Sequence, residues 1–499
     1  MKKLLVILSL LLSMVAAQAK MHYRISFNPE SNNVHVDLAV DGIGAGVTTL
    51  RMPVWAPGYY LILDSPQHLS HFKVTSTNGD AIPWVKVGKD GWRIQNGSRT
   101  VLNVSYDVFA DRHSVGEANV TEEFAFLPGN EVYMYVDGRK DMASDVMVEL
   151  PSSWSSSCSS LKPLGKNCYE ARDFDELVDC PIFAGNPLIR DFEVDGKPYS
   201  LCVARPDGFD ADMYVEELSR MVRAAGSLFG GKRPYDRYVF MWLEYGRGGL
   251  EHQSCQSCMA GPSMVSKDRA EHLSWMSFVS HEYYHLYNVK SIRPFELGPF
   301  DYSKENYTGQ LWISEGMTCY YEDIILAHAG LCSSEELREA LLDYIRSTEQ
   351  TAGRKEMSMW TSSYDIWLNF FNSDANHGDV TISYYVKGPV VAFMMDLAIR
   401  NASQNRGSLD DVMRILYERY YEQEGRGFHP EEFWAVVKEV AEGKDISDLK
   451  ALEMTADEID YDRYLGYAGL SLDRENWKFV ETEKPSALQL AIRKGVFVE

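Results

Sequence analysis

Four features are missing from this 499-residue sequence: a long hydrophobic run beyond the amino terminus, an excess of basic charge, an internal repeat and a second Cys-x-x-Cys pair. No later segment approaches the roughly 18 uninterrupted apolar residues of a membrane span. Even Pro389 to Ile399 is broken by Asp396. Lys and Arg number 49 against 72 Asp and Glu, a formal charge of −23. That balance disfavours an electrostatic grip on phosphate backbones or anionic lipid, so nucleic acid is excluded as the expected partner. Cys255-Gln256-Ser257-Cys258 has the gap of redox and zinc motifs, but without a second pair it cannot complete a tetrathiolate centre. With no repeat, and no low-complexity tract beyond the Ser-rich stretch near Ser155, solenoid and array architectures drop out.

What is present points to a folded, exported chain. Hydrophobic residues make up 45% and charged residues 24%, enough apolar material for a core, and the length predicts two or three domains. Lys2 and Lys3 precede an apolar run from Leu4 to Val15 and the small-residue sequence Ala17-Gln18-Ala19. This pattern predicts a signal peptide over 1–19, with cleavage after Ala19 and no membrane anchor, hence a periplasmic or secreted protein. An oxidising compartment favours disulfides. The spacings of Cys158 with Cys168, Cys180 with Cys202, and Cys319 with Cys332 allow local bridges, while Cys255 and Cys258 read as a disulfide or as buried thiols.

Periodicity divides the rest of the chain. Val34, Val36, Leu38 and Val40 alternate with other residues, as do Leu102, Val104 and Tyr106, and turn signals Asn78-Gly79 and Asp90-Gly91 separate such runs. Residues 20–150 are therefore expected to form an antiparallel β-sandwich. Residues 151–205, rich in Ser, Cys and charge, read as a disulfide-tied connection with some β elements. From residue 206 the period becomes helical, which predicts a mainly α-helical domain over 206–465 and a short carboxy-terminal segment over 466–499.

The strongest chemical signal lies within the helix expected from Leu273 to Val289. His281-Glu282-Tyr283-Tyr284-His285 matches H-E-x-x-H. Residues four apart share a helix face, so both imidazoles can reach one zinc ion while Glu282 points at a water on it. A zinc hydrolase needs a third protein ligand, and Trp312 to Glu322 offers two carboxylates seven residues apart. Glu315 is the expected ligand and Glu322 the outer partner of a ligating His.

Around this motif the chain resembles the glycyl aminopeptidase family of gluzincin metallopeptidases. The resemblance is carried by His281 to Pro294, Leu297 to Tyr302, Glu305 to Thr308, Trp312 to Tyr321, Pro53-Val54-Trp55-Ala56-Pro57-Gly58-Tyr59-Tyr60, Pro234 to Phe240, Gly248-Gly249-Leu250-Glu251-His252 and Tyr461 to Leu470. It implies a β-sandwich followed by a thermolysin-like gluzincin catalytic domain. One zinc ion is implied on His281, His285 and Glu315, with Glu282 as general base and peptides with free amino termini as substrates. Gly248, Gly249 and Glu251 are similar to the exopeptidase motif of the more distant aminopeptidase N relatives, which implies that Glu251 binds the substrate's α-amino group. Tyr385, before Val386-Lys387-Gly388, is similar to their oxyanion-stabilising Tyr. The family implies a preference for amino-terminal Gly or Ala.

The family also commonly carries a carboxy-terminal PDZ domain. Here Ser471 to Glu499 is too short for one, which leaves a remnant as the expectation. Two other readings fit the same residues. One is a zinc endopeptidase without amino-terminal selection. The other is a non-catalytic peptide- or glycan-binding protein with structural zinc.

Overall fold

The computed structural model describes residues 19–204, 208–244, 246, 248–259, 261–371, 374–444 and 446–499. The expected signal segment, Ala19 apart, lies outside the described residues. The chain divides into two compact units, Met1–Ala56 with Ile62–Pro187, and Pro57–Leu61 with Leu188–Glu499.

The first unit is β-rich, as the period of two predicts. Met21, Tyr23 and Ile25 are buried along Lys20–Asn28, and Val34, Val36, Leu38 and Val40 along Asn33–Asp41, while the residues between them face outward. These strands pair antiparallel, Met21 opposite Val40, within a seven-stranded sheet. A separate four-stranded sheet of the same unit contains Gly46–Arg51 and Gly91–Gly97. One pairing departs from the antiparallel expectation: Lys20–Asn28 runs parallel to Ala143–Glu149.

The stretch from 151 to 205, expected as a connection with β elements, supplies strands to both units. Ser156–Cys158 and Ile182–Gly185 pair in a further four-stranded sheet of the first unit, and Lys162–Gly165 with Cys168–Ala171 forms one margin of the seven-stranded sheet. Leu188–Val194 and Lys197–Val203 are the first strands of the second unit. The Ser- and Lys-rich strands bury few side chains, which removes the alternation that marks a strand in sequence.

The expected disulfides are absent: all eight cysteines are unbridged, and seven are buried. Cys255 and Cys258 lie three apart on one strand, so their side chains leave opposite faces. Cys158 and Cys168 belong to different sheets, and Cys180 and Cys202 to different units. The Cys319 sulfur lies 3.7 Å from His281 Nδ1, and Cys332 donates to the Ser333 carbonyl at 3.4 Å.

The second unit opens with a five-stranded mixed sheet. Lys197–Val203, Tyr238–Leu243 and Cys255–Met259 run parallel in its middle, and Gly248–Glu251 lies antiparallel at one edge. Helices pack on it. The longest among the described residues, Tyr384–Ala402, belongs to a stretch apolar enough to cross a membrane, but 83% of that window is buried. Its buried Asp396 is satisfied by Arg400 at 2.8 Å, the Tyr320 hydroxyl at 3.0 Å and the Leu409 amide at 2.7 Å. The carboxy-terminal segment, expected as a PDZ remnant, forms a hairpin of Leu470–Asp473 and Lys478–Glu481 and a helix, Ala487–Phe497. Ile492, Val496 and Phe497 of that helix are part of the same core as Trp275, Val279 and Tyr283 of Arg269–Tyr284 and Val390 to Met395 of Tyr384–Ala402.

Candidate active site

The H-E-x-x-H residues end the helix Arg269–Tyr284 and its cap, His285. Asp268 starts this helix by accepting from the amides of Ala270 and Glu271 at 2.9 and 3.1 Å. One face of the helix is sunk among aromatics: Tyr283 packs edge-on to Tyr238 at 5.0 Å and bonds the Tyr235 hydroxyl at 2.6 Å. The opposite face carries both histidines inward toward Glu315. Glu315 sits in a π-helical turn, Trp312–Gly316, a widened segment of the kind often found at functional sites.

Three acceptor atoms converge there. His281 Nε2 and His285 Nε2 are 3.0 Å apart, and Glu315 Oε2 is 3.5 Å from the first and 3.2 Å from the second. A tetrahedral zinc with ligands at about 2.0–2.1 Å spaces its donor atoms about 3.3–3.4 Å apart, so the triangle has the size that such an ion needs. The outer ring nitrogens are already taken: His281 Nδ1 meets Glu322 Oε2 at 2.8 Å, and His285 Nδ1 meets the Asn288 carbonyl at 2.7 Å. Carboxylate and carbonyl partners hold the protons on Nδ1 and turn both Nε2 lone pairs to the centre. Two imidazole nitrogens and a carboxylate oxygen at this spacing, with both Nδ1 atoms partnered from outside, make a donor set that fits zinc.

The other expected residues gather beside this triangle. Ligand atoms of Glu251, Glu282 and His285 lie within 4.8 Å of one another. Glu282 Oε2 is buried and makes no hydrogen bond within the protein. Its carboxylate presses on Gly249, where a Cβ would collide with it. Gly249 is therefore a requirement of Glu282, whereas Gly248 is exposed and takes a positive φ at the start of the edge strand. Tyr385 stands over the site with its ring 6.3 Å from that of His281.

Burial and mutual charge set the electrostatics. Burial pushes the Glu282 carboxyl up to about 8; the two imidazoles oppose the rise, and Glu251 and Glu315 add to it. Burial likewise raises Glu251, with Glu315 adding to the effect against the pull of His285. At Glu315 burial acts upward too, but His285 and His281 outweigh it and hold the carboxylate ionised far below its usual range. Burial keeps the Tyr385 hydroxyl protonated, a standing donor.

Residues 22–186 match the family model for the peptidase M61 N-terminal domain, and residues 274–391 match that of the M61 glycyl aminopeptidase, together more than half of the sequence. The chain belongs to the M61 peptidase family. Among solved structures it resembles an aminopeptidase N family protein from Idiomarina loihiensis, with 26% identity and a TM-score of 0.85 over 90% of this chain and 78% of that one. It also shares the fold of an M1 zinc metallopeptidase from Deinococcus radiodurans, at 14% identity and a TM-score of 0.55 over 89% and 93% of the two chains. A variant of that enzyme bound to a Tyr-Ser-Ala substrate matches at 13% identity and the same TM-score, over 89% and 94%. No curated protein sequence matches the chain.

In this M61 peptidase several supports of the site carry no motif of their own. Asn288 fixes His285 by its carbonyl, and its side chain donates to Ile313 O, Ser314 O and Thr318 Oγ1 at 2.9, 3.1 and 3.2 Å, tying the histidine turn to the Glu315 segment. Tyr344 donates to Glu322 Oε1 at 2.6 Å. Only the place of Asn288, three residues after His285, could have signalled its role.

Proposed function

We propose that the chain is a zinc-dependent aminopeptidase that hydrolyses the first peptide bond of substrates with a free amino terminus, with Gly or Ala as the favoured first residue. The observation that carries this reading is the placement of Glu251 in one buried cluster with His285 and Glu282, next to the triangle that fits a metal. His281, His285 and Glu315 would hold one zinc ion. That ion supplies Lewis acidity, polarising the scissile carbonyl and lowering the pKa of water to about 7.

The chain's own groups supply the rest. Glu282, with a free buried oxygen, takes the proton of the attacking water and returns it to the leaving amine. The Tyr385 hydroxyl donates to the oxyanion as the carbonyl becomes tetrahedral. Glu251 answers the substrate ammonium with charge-assisted hydrogen bonds, so only the first peptide bond is aligned. Gly248–Glu251, an edge strand, offers backbone groups to an extended peptide. Lys2-Lys3 and the apolar run Leu4 to Val15 support an exported site of action.

The test is release of the first residue from a panel of aminoacyl amides and amino-blocked peptides, with and without chelator. Chelator-sensitive cleavage of free-amino substrates alone is the expected result, and Glu251→Gln should remove that selectivity. Equal loss on free and blocked substrates in Glu251→Gln would favour the endopeptidase reading, and no turnover with any substrate would end the catalytic one.

A further inference from the structure

The Pro53 to Tyr60 motif has no part in the mechanism above, yet its last residues pack within the catalytic unit. Gly58 has φ +89°, and a Cβ there would lie 2.6 and 2.9 Å from the two Glu251 carboxylate oxygens and 2.8 Å from Leu250 Cδ1. The backbone of Gly58 therefore lies directly on the group assigned to the substrate amine. Two residues on, Tyr60 is only 4% exposed. Its ring meets Trp367 edge-on at 5.6 Å and 87°, while Tyr59 packs on Phe371 at 5.7 Å. Gly58 lies on Glu251, so the strap carries Tyr60 two residues from the amine anchor; burial, with Tyr384, Glu315 and Glu251 adding to it, keeps the Tyr60 hydroxyl protonated.

We infer that Tyr60, backed by Trp367, is the wall met by the side chain of the substrate's first residue, and that it confines that residue to Gly or Ala. This rests on the aminopeptidase reading of the same site. With the amine on Glu251 and the carbonyl beside Glu282 and Tyr385, the first Cα is pinned between them. The strap of Pro57–Leu61 covers the Glu251 side. A side chain leaving that Cα toward the strap meets the Tyr60 ring, which packs edge-on against Trp367. Tyr60 acts through its bulk and transfers no proton.

The test uses the full-length, zinc-loaded protein and compares kcat/KM for Gly, Ala, Leu and Phe amides in wild type, Tyr60→Ala, Tyr60→Phe and Trp367→Ala. A parallel calorimetric measurement follows binding of Gly-amide and Leu-amide to Glu282→Gln with and without Tyr60→Ala. Tyr60→Ala is expected to raise the Leu-to-Gly ratio about 10- to 100-fold, in line with what added methylene groups are worth in a size-selecting pocket, and to strengthen Leu-amide binding. Tyr60→Phe, which keeps the ring, should restore the narrow preference. Trp367→Ala should widen it less, and it decides the matter if Tyr60→Ala fails to fold. An active wild type whose ratio and amide binding are unchanged in the alanine variants overturns the role of Tyr60 alone. A wild type that releases no free first residue overturns the aminopeptidase reading and this inference with it.

Discussion

Gly316 and Gly388 touch backbone to backbone. A Cβ on Gly316 would stand 2.7 Å from Gly388 Cα, and one on Gly388 would stand 2.7 Å from Gly316 Cα. The contact joins the two elements that carry Glu315 and Tyr385, because Gly316 follows Glu315 and Gly388 comes three residues after Tyr385. The spacing of the site thus depends on the absence of two methyl groups.

Gly388→Ala should therefore damage both stability and metal binding. Forcing a methyl into a close-packed contact costs about 1–3 kcal/mol. Here the relief must come from moving the Glu315 turn or the Tyr385 helix. Thermal denaturation and zinc competition against a chromophoric chelator should both show losses. Wild-type values in both would mean that the two helices can part without cost to the site.

Glu322 should tune the metal without being needed for its binding. One oxygen holds His281 Nδ1 at 2.8 Å and the other accepts from Tyr344 at 2.6 Å, so its charge both orients the imidazole and raises its basicity. Glu322→Gln is expected to weaken zinc affinity about 10- to 100-fold, as loss of such outer partners does. Tyr344→Phe, which leaves the carboxylate in place, should have a smaller effect. An unchanged affinity in Glu322→Gln would remove the carboxylate from any role at the site.

The metal triangle was legible in sequence because helix geometry alone brings His281 beside His285, and because Glu315 and Glu322 are separated by two helical turns. The supports were not legible, since each joins residues distant in sequence. Gly316 meets Gly388, and Gly58 meets Glu251 across almost two hundred residues. No local pattern encodes such contacts. The β elements expected in the 151–205 stretch could not be placed individually for a different reason: Lys162–Gly165 is exposed throughout, so nothing alternates there. The disulfide expectation failed because it used spacing along the chain, whereas bridging is decided by which sheet and which face each sulfur occupies.

The cysteines should behave as buried thiols. Burial pushes Cys319 and Cys332 up to about 12, which suppresses the reactive thiolate. Alkylation of the folded protein, assayed by mass, should reach at most the half-buried Cys168, and unfolding without reductant should open all eight. A reductant should leave the melting temperature unchanged. A mass deficit of two alkyl groups after unfolding would reveal a bridge that the fold does not contain.

Asp323, next to the outer carboxylate Glu322, should make stability fall as pH rises. It is buried, and burial pushes its carboxyl from 3.8 up to about 7, with Glu322 adding to the rise and a Ser277 hydrogen bond opposing it. The folded state therefore binds the proton more tightly than the unfolded chain. The resulting stabilisation is fully present below the unfolded value, declines through the range from about 4 to 7, and is gone above the folded value. Between those limits the wild type should lose roughly 4 kcal/mol at most from this group. Asp323→Asn removes the titration, so its melting temperature, compared with that of the wild type, should gain steadily across the same window and level off above pH 7. Parallel curves for the two proteins would show that Asp323 ionises in the fold as readily as in the unfolded chain.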